Sequence, residues 1–195
     1  AAALGQLVDE GKLQWDTPVF DLLPAFRLRD PELTRRLTIR DALAHRTGMS
    51  DPLYPFLAVM DADGAFEQLR YVDVAAPFRQ SHCYNNLMYG VVGKVIEAVS
   101  GSSWHDFIQS RLLEPLDMER SGTSPYRFLE AEYIAPTYLG SARAVYSGTD
   151  NLAMPHAWDR SGNVIPIAWQ SYDNAAPAGS IVSSAADLAK WIAMH

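Results

Sequence analysis

Residues 84–101 read YNNLMYGVVGKVIEAVSG, and this stretch predicts the clearest helix of the chain. Apolar side chains recur along it at the three- and four-residue spacing that places them on one wide stripe of a helix. Asn86 is the predicted N-cap, because its amide oxygen can accept backbone N–H groups at a helix start, and Gly101 is the predicted stop. The helix is expected over residues 87–100, with one stripe facing a core: Leu87, Met88, Val91, Val92, Val95, Ile96 and Val99.

Shorter helices are predicted on both sides of this one, from capping signals and apolar spacing. Two short strands are predicted at residues 157–159 and 164–169, because they flank the turn-forming residues 160–163, Arg-Ser-Gly-Asn. The chain is therefore expected to be mainly α with short β-hairpins. The other predicted helices or helix starts are residues 1–10 with Gly11 as a stop, Thr38 with Asp41 as a capping box, residues 62–71, Ser103 with Asp106, and Ser184 with Asp187.

Composition and charge exclude several function classes. The formal net charge of −7 repels phosphate, and the one basic cluster, Arg35, Arg36 and Arg40, is too small for a nucleic-acid interface. No stretch approaches the roughly 18 consecutive apolar residues of a membrane helix. Cys83 is the single cysteine, so an internal disulfide is impossible. The five histidines show no ligand-like spacing, so no metal site is predicted.

Five segments occur in an order that resembles a known family. They read LVDEGKL (7–13, running on to DTPV at 16–19), LTIRDALAHRTGM (37–49), YNNLMYG (84–90), LEPLDM (113–118) and AGSIVSSAADLAKW (178–191). Together they resemble segments of the class C β-lactamases, penicillin-binding-protein-like esterases and D-aminopeptidases. Asp117 stands where the family usually has Gly, a small departure because Asp tolerates a left-handed turn better than most residues.

The resemblance implies the helical insert region of an α/β (α+β) β-lactamase/transpeptidase-like fold, incomplete at both ends. Residues 1–11 are expected to be the tail of the nucleophile helix, residues 12–183 the helical and loop-rich insert, and residues 184–195 a helix leading back to the sheet. Both ends also read as cuts through helices, because Ala1 offers no N-cap and no Gly or Pro stops the last helix before His195.

The two end helices each carry an apolar stripe that is expected to pack against a sheet outside this chain. Full burial of one such side chain stabilises by roughly 1.5 to 3 kcal/mol, so six left exposed would forgo on the order of 10 kcal/mol. We therefore expect self-association through the surfaces left by the missing segments. The two stripes are Leu4, Leu7 and Val8, and Leu188, Trp191 and Ile192.

The resemblance assigns the catalytic roles in this chain to Tyr84 and Asn86. In the family a serine nucleophile is activated by a lysine that lies one helical turn from it. The Tyr of Y-x-N returns a proton to the leaving group. A phenol acts as a base near neutral pH only beside a cation, which that lysine supplies. Asn86 can offer its carbonyl to the lysine and its NH₂ to a substrate amide. Gly179 and Ser180 are the candidate substrate-binding residues on the wall of the cleft.

The nucleophile and its lysine are expected to lie outside this chain. A Ser-x-x-Lys motif needs a serine three residues before a lysine, and no K-T-G or H-x-G motif follows either. This chain alone is therefore expected to be inactive. The three lysines are Lys12, Lys94 and Lys190, and the positions three residues before them hold Asp9, Val91 and Asp187.

Several residues also have a simpler interpretation. Tyr84 and Asn86 are compatible with a plain loop and an N-cap, and the surrounding segments favour the catalytic interpretation. Cys83 beside His82 suggests a cysteine protease, but chain neighbours rarely point at each other, and a small buried filler is the simpler account. Three aromatic residues either line a substrate cleft or pack under loops, namely Tyr54, Phe56 and Trp169.

The resemblance implies that the complete protein opens an ester, amide or β-lactam through an acyl-serine intermediate, with a small-molecule substrate and no cofactor. It also favours a bacterial periplasmic or secreted location. The alternative is a non-catalytic helical interaction module or pseudoenzyme that keeps the scaffold without the chemistry. A Ser-x-x-Lys within about two helical turns upstream of Ala1 would favour the hydrolase.

Overall fold

The computed structural model describes residues 1–51, 60–128, 152–153, 155–167 and 173–194 of the chain. Short 3₁₀ segments at Leu69–Tyr71, Glu114–Leu116, Pro125–Phe128 and Asp173–Ala175, and a π-helical segment at Gln109–Leu113, extend or join the main elements. The described α-helices are α1 (Ala2–Asp9), α2 (Val19–Leu22), α3 (Pro31–Arg36), α4 (Ile39–Leu43), α5 (Ala62–Gln68), α6 (Leu87–Ser100), α7 (Trp104–Ile108), α8 (Ala176–Gly179) and α9 (Ala185–Met194).

Helix α6 is the centre of the core, with the bounds that the sequence predicts. It contacts α1, α2, α4, α5, α7 and α8, so its neighbours cover most of its circumference. Gly101 follows it with φ of +75°, a left-handed conformation that glycine adopts without a steric penalty. Val99 of the predicted stripe packs partly buried against the core, and α6 also buries Gly93. The other six residues of the stripe are buried as predicted: Leu87, Met88, Val91, Val92, Val95 and Ile96.

The start of α6 differs from the prediction. Asn86 stands at the N-cap position, but its side chain makes no capping hydrogen bond, because its backbone is already helical at φ −72° and ψ −31°. The neighbouring Asn85 caps the helix instead, with Oδ1 accepting the Met88 N–H at 3.0 Å. The prediction of Asn86 as the capping side chain is therefore wrong, and its amide is left to bind elsewhere.

The other local signals are largely confirmed. Thr38 and Asp41 form the predicted capping box at the start of α4. Ser103 Oγ caps α7 by accepting the Asp106 N–H at 3.0 Å. The helix predicted over residues 62–71 is an α-helix to Gln68 that tightens into 3₁₀ geometry. These signals depend on neighbouring residues alone, which is why the sequence locates them well.

Helix α1 is buried within this chain, contrary to the expectation for its apolar stripe. Leu4 and Leu7 are completely buried, and Val8 packs partly buried against the same core. Its end is a Schellman motif, in which Gly11 N–H donates to Val8 O and Lys12 N–H donates to Leu7 O, each at 2.9 Å. The core beside α6 covers this stripe, so no outside sheet is needed to bury Leu4 and Leu7.

Helix α9 is attached mainly through a buried carboxylate. Asp187 is buried and accepts the Ser121 hydroxyl and the Arg120 N–H, each at 2.8 Å, while its own N–H donates to Ser184 Oγ at 3.2 Å. The predicted Ser184 cap is thus confirmed. On the apolar stripe Trp191 packs partly buried against the core, whereas two side chains are exposed, Leu188 at 47% and Ile192 at 70%.

The predicted hairpin is present as strands β1 (His156–Trp158) and β2 (Val164–Pro166). They pair antiparallel with Ala157 opposite Ile165. Asp159 Oδ1 closes the turn by accepting two backbone N–H groups at 2.8 Å, those of Ser161 and Asn163. The fold is mostly helical with this two-stranded sheet, as the sequence predicts. None of the described helices is long and apolar enough to cross a membrane.

Candidate active site

Tyr84 lies at the protein surface just before α6. Its side chain is 59% exposed, and its hydroxyl donates to Asn86 Oδ1 at 2.9 Å. The backbone at residues 84–86 turns so that side chains two positions apart face each other. This contact leaves the tyrosine hydroxyl oriented and open to solvent, which a group that exchanges protons with a bound molecule requires.

Asp51 holds Asn86 from the other side. Its Oδ2 accepts the Asn86 backbone N–H at 2.8 Å and the Asn86 Nδ2 at 2.9 Å. The amide of Asn86 is therefore fixed in orientation, with its oxygen toward Tyr84 and its nitrogen toward Asp51. The second carboxylate oxygen of Asp51, Oδ1, is buried and has no hydrogen-bond partner among the described residues. Sequence reasoning did not single out Asp51, which follows the 37–49 segment by two residues.

Asn85 ties the Tyr84 loop to the segment that carries Asp51. It is completely buried, and its Nδ2 donates to the Ser50 carbonyl at 2.6 Å while its Oδ1 caps α6 through Met88. Its backbone N–H donates to His45 Nδ1 at 3.1 Å. One buried amide thus connects the loop, the helix start and the 45–51 segment, which makes their relative position rigid.

His45 also lies against the Tyr84 ring, and sequence reasoning did not single it out. The ring centroids are 4.6 Å apart, and the His45 carbonyl accepts the Cys83 N–H at 2.7 Å. Burial and the nearby His82 lower the pKa of His45 below its ordinary value of 6.5, and Asp51 acts in the opposite direction. His45 is therefore held in its neutral form, as an acceptor at Nδ1 requires.

A buried ion pair fastens the two loops that form the site. Asp41 Oδ1 accepts Arg46 Nε at 2.6 Å, Asp41 Oδ2 accepts Arg79 Nη2 at 2.7 Å, and Asp41 itself is fully buried. Burial is the largest influence on its pKa and raises it. Hydrogen bonds from Arg79, Thr38 and Arg46 together outweigh burial and lower the pKa from 3.8 to about 2. Arg46 and Arg79 belong to different loops, so one carboxylate joins both.

Gly48 allows the same two loops to approach closely. Its φ is +79°, and its carbonyl accepts the N–H groups of Ala75 and Ala76 at 2.8 and 3.0 Å. A Cβ at this position would lie 2.1 Å from the Ala76 carbonyl oxygen. Only glycine satisfies both the backbone angle and the contact, so the TGM sequence at 47–49 has a structural reason.

The two predicted substrate-binding residues lie at the end of α8, away from Tyr84. Gly179 is exposed and Ser180 buried at the end of α8. Helix α8 packs on α6 at Gly93, where a Cβ would lie 2.4 Å from Pro177 Cγ. Gly93 is about 9 Å along the helix axis from Leu87. The contacts described above join Tyr84 with Asn86, Asp51 and His45, and do not extend to Gly179.

Cys83 is half-buried, and the His82 ring lies edge-on to His45 at 5.4 Å. Within the described ranges, no three His, Cys, Asp or Glu side chains are placed to hold a metal ion. A separate cavity of about 80 Å³ lies between α5, α6 and α8, lined in part by Phe66, Lys94 and Pro177. Three aromatic residues lie outside the described residues, namely Tyr54, Phe56 and Trp169.

Known proteins similar to this chain share its family and its fold. Penicillin-binding protein 4 of Amycolatopsis lactamdurans is 31% identical over 204 residues, which cover 100% of this chain and 47% of that protein. An unguisins hydrolase of Aspergillus violaceofuscus is 32% identical, covering 98% of this chain and 33% of its own length. The chain thus spans between a third and a half of these curated relatives.

Solved structures of similar fold include further penicillin-binding-protein relatives. The octameric penicillin-binding protein homologue from Pyrococcus abyssi superposes with a TM-score of 0.70 at 27% identity, over 98% of this chain and 41% of that one. FmtA from Staphylococcus aureus superposes with a TM-score of 0.75 at 21% identity, over 98% and 48%, and shows the shared fold. The family model described as Beta-lactamase matches residues 1–195. This chain therefore belongs to the Beta-lactamase family.

Proposed function

We propose that this chain is part of a serine hydrolase that opens an ester, amide or β-lactam through an acyl-serine intermediate. Tyr84 is the proton-transfer group, and Asn86 orients it together with the substrate amide. The observation that carries the proposal is the hydrogen bond from the exposed Tyr84 hydroxyl to Asn86 Oδ1 at 2.9 Å. A solvent-facing phenol held by a second oriented polar group fits a proton-transfer role better than a structural one.

The nucleophile and its lysine belong, in this proposal, to parts of the protein outside these 195 residues. No Ser-x-x-Lys is present in the chain, and the chain spans 47% of penicillin-binding protein 4. Residues 1–11 and 184–195 would flank the missing sheet, and residues 12–183 would form the insert that supplies Tyr84. This division explains why the chain matches the family and contains Tyr84 but has no Ser-x-x-Lys motif.

The charge of the site supports an incoming cation. Within the part of the chain that the structure describes, Asp51 Oδ1 is buried without a partner, and a buried unpaired carboxylate oxygen costs free energy until a donor reaches it. Counting contacts within the described ranges, Asn86 retains one side-chain N–H and one carbonyl lone pair after binding Tyr84 and Asp51. A lysine ammonium placed there would satisfy these acceptors, and its charge would favour the deprotonated form of the tyrosine.

The substrate class follows from the relatives and stays broad. Penicillin-binding protein 4, the unguisins hydrolase and a teichoic acid D-alanine hydrolase of Staphylococcus aureus, 27% identical over 77% of this chain, have different substrates by name. Acyl transfer at a carbonyl carbon is the chemistry that ester, amide and β-lactam substrates have in common. Gly179 and Ser180 remain our proposal for a substrate-binding edge of the same cleft.

The test compares two tyrosines that each lose one hydroxyl. In the complete protein, Tyr84→Phe is expected to lower kcat for nitrocefin or p-nitrophenyl butyrate by about 10² to 10⁴-fold, the usual contribution of a proton-transfer group. Tyr89→Phe is the matched control, since the Tyr89 hydroxyl donates to the Leu43 carbonyl at 3.2 Å and its ring also contacts His45. Its kcat is expected to stay within about threefold of wild type, because no proton transfer is lost.

Two outcomes would contradict the proposal. Normal turnover by Tyr84→Phe would remove the proton-transfer role, whatever the other residues do. A complete protein that contains no Ser-x-x-Lys and hydrolyses neither substrate would favour the pseudoenzyme alternative. Thermal unfolding of both variants separates loss of chemistry from loss of fold, since the exposed Tyr84 hydroxyl contributes little to stability.

A further inference from the structure

One residue, His45, contacts the Tyr84 loop at three points. Its carbonyl accepts the Cys83 N–H at 2.7 Å, and its Nδ1 accepts the Asn85 N–H at 3.1 Å. Its ring lies 4.6 Å from the Tyr84 ring at an angle of 38°. His45 thus contacts the tyrosine ring and the residues on both sides of it through one side chain and one carbonyl.

The backbone of His45 is left-handed because this residue ends α4, and the same angle points its carbonyl and ring at the Tyr84 loop. Its φ is +53°, in the left-handed region that residues other than Gly, Asn and Asp seldom adopt. This conformation turns the carbonyl toward Cys83 and the ring toward Tyr84 from one position at the end of α4. The helix end is a Schellman motif, in which the His45 N–H donates to Ala42 O at 3.4 Å and the Arg46 N–H donates to Asp41 O at 3.2 Å.

We propose that His45 is a positioning residue for Tyr84, and that only its neutral imidazole holds the Tyr84 loop in the reactive arrangement. The inference rests on the proposed function of Tyr84. Because the Asn85 N–H donates to Nδ1, the ring proton of neutral His45 sits on Nε2. A proton added at Nδ1 places two donors face to face, so the bond to Asn85 is lost and the loop is released on one side of Tyr84.

The surroundings of His45 set the direction of its pH dependence. The titratable groups that face it are His82, Asp51, Tyr84 and Tyr89. Burial and His82 lower the pKa of His45 from 6.5, and Asp51 partly opposes them. Because this pKa lies below 6.5, the neutral form predominates at pH 6.5 and above and is lost as pH falls through the pKa. The Tyr84 loop is therefore held at neutral pH and released in acid.

A spectroscopic test reads the Asn85 N–H directly, without using activity. Tyr84-Asn85 is the single Tyr–Asn step in the printed sequence, so labelling with ¹³C-carbonyl tyrosine and ¹⁵N-asparagine singles out this amide. The complete protein is labelled in the same way, and the signal is assigned to Asn85. The Asn85 amide signal is expected to titrate with the same midpoint as the His45 imidazole. His82→Asn is expected to raise that midpoint, because it removes the neighbouring charge that lowers it. In His45→Asn the Asn85 signal should not move between pH 8 and pH 5.

A kinetic test compares two substitutions that both tolerate a positive φ. In His45→Asn the amide oxygen can stand near the Nδ1 position and accept the Asn85 N–H, whereas His45→Gly leaves that N–H without its side-chain partner. We expect kcat of His45→Gly to fall on the order of 100-fold, the effect of a misplaced catalytic group, with KM little changed. His45→Asn should restore most of that loss and should lack the wild-type fall in kcat that follows His45 protonation.

The outcomes separate this inference from the proposed function. If Tyr84→Phe abolishes turnover but the Asn85 amide does not titrate with His45, the function stands and the inference is overturned. Equal kcat values for His45→Asn and His45→Gly would overturn it as well, because the acceptor at Nδ1 would then have no effect. If the amide titrates as expected and Tyr84→Phe is fully active, His45 controls the loop and the proposed role of Tyr84 is the part that fails.

Discussion

The Asp41 ion pair gives the sharpest test of how the candidate site is held together. Asp41→Asn keeps the size of the side chain and removes its charge, while Arg46 and Arg79 lose their buried partner. Removing one member of a buried pair typically costs about 3–5 kcal/mol. Both arginines are only partly buried and can regain water, so we expect a loss near 3 kcal/mol at pH 7.

The pH dependence follows from the lowered pKa. Because the folded-state pKa of Asp41 is about 2 against an ordinary 3.8, the charged form stabilises the fold by about 2 kcal/mol relative to the protonated form. That contribution is complete above about pH 5 and is lost as pH falls through about 2. The difference in unfolding free energy between wild type and Asp41→Asn should therefore narrow by about 2 kcal/mol between pH 6 and pH 2.

Asp16→Asn is the matched control for this experiment. Asp16 also accepts two hydrogen bonds from one arginine, Arg40, at 2.8 and 2.9 Å, but its side chain is 69% exposed. An exposed pair of this kind contributes roughly 0–1 kcal/mol. Urea unfolding followed by tryptophan fluorescence measures both variants. Equal losses for Asp41→Asn and Asp16→Asn, or a constant Asp41→Asn effect down to pH 2, would refute the reasoning.

Three further predictions follow from the packing and the sequence. Gly93→Ala should destabilise by about 1–3 kcal/mol because its Cβ would meet Pro177, whereas Gly90→Ala, with open space, should stabilise by up to about 1 kcal/mol in thermal melts. The reverse order would contradict the close α6–α8 contact. The purified 195-residue chain should not hydrolyse nitrocefin; inhibitor-sensitive turnover would place a nucleophile within it. That chain should also bind a hydrophobic dye and self-associate through Leu188 and Ile192, and their double replacement by Gln should abolish both, as sedimentation would report. A dye-free monomer before replacement would contradict this.

The sequence by itself determined the features that depend on neighbouring residues. The bounds of α6, the Thr38–Asp41 capping box, the turn of the hairpin and the left-handed glycine after α6 were all predicted from short windows. Caps, turns and helical stripes form between residues a few positions apart, so their signals survive in the order of the letters. The order of the family segments likewise identified the family, and Tyr84 and Asn86 came from one of those segments.

Only the tertiary structure decided which groups surround Tyr84 and what each asparagine does. Asn85 caps α6, whereas Asn86 pairs with Tyr84. Asp51, 35 residues away along the chain, binds the Asn86 amide and so fixes its orientation. His45 meets the same loop from a position 40 residues distant from Asn85. Such contacts are set by how α4 and α6 pack, and no local pattern encodes a pairing between distant loops.

The same reason explains the outcome for the end helices. The stripe of α1 looked suited to a sheet outside the chain, yet Leu4 and Leu7 are buried in the core beside α6. The similar stripe of α9 leaves Ile192 exposed. An apolar stripe specifies that a face prefers burial, because transfer from water is favourable whatever the partner. Which surface covers that face depends on the arrangement of the whole chain, and that is a property of the tertiary structure.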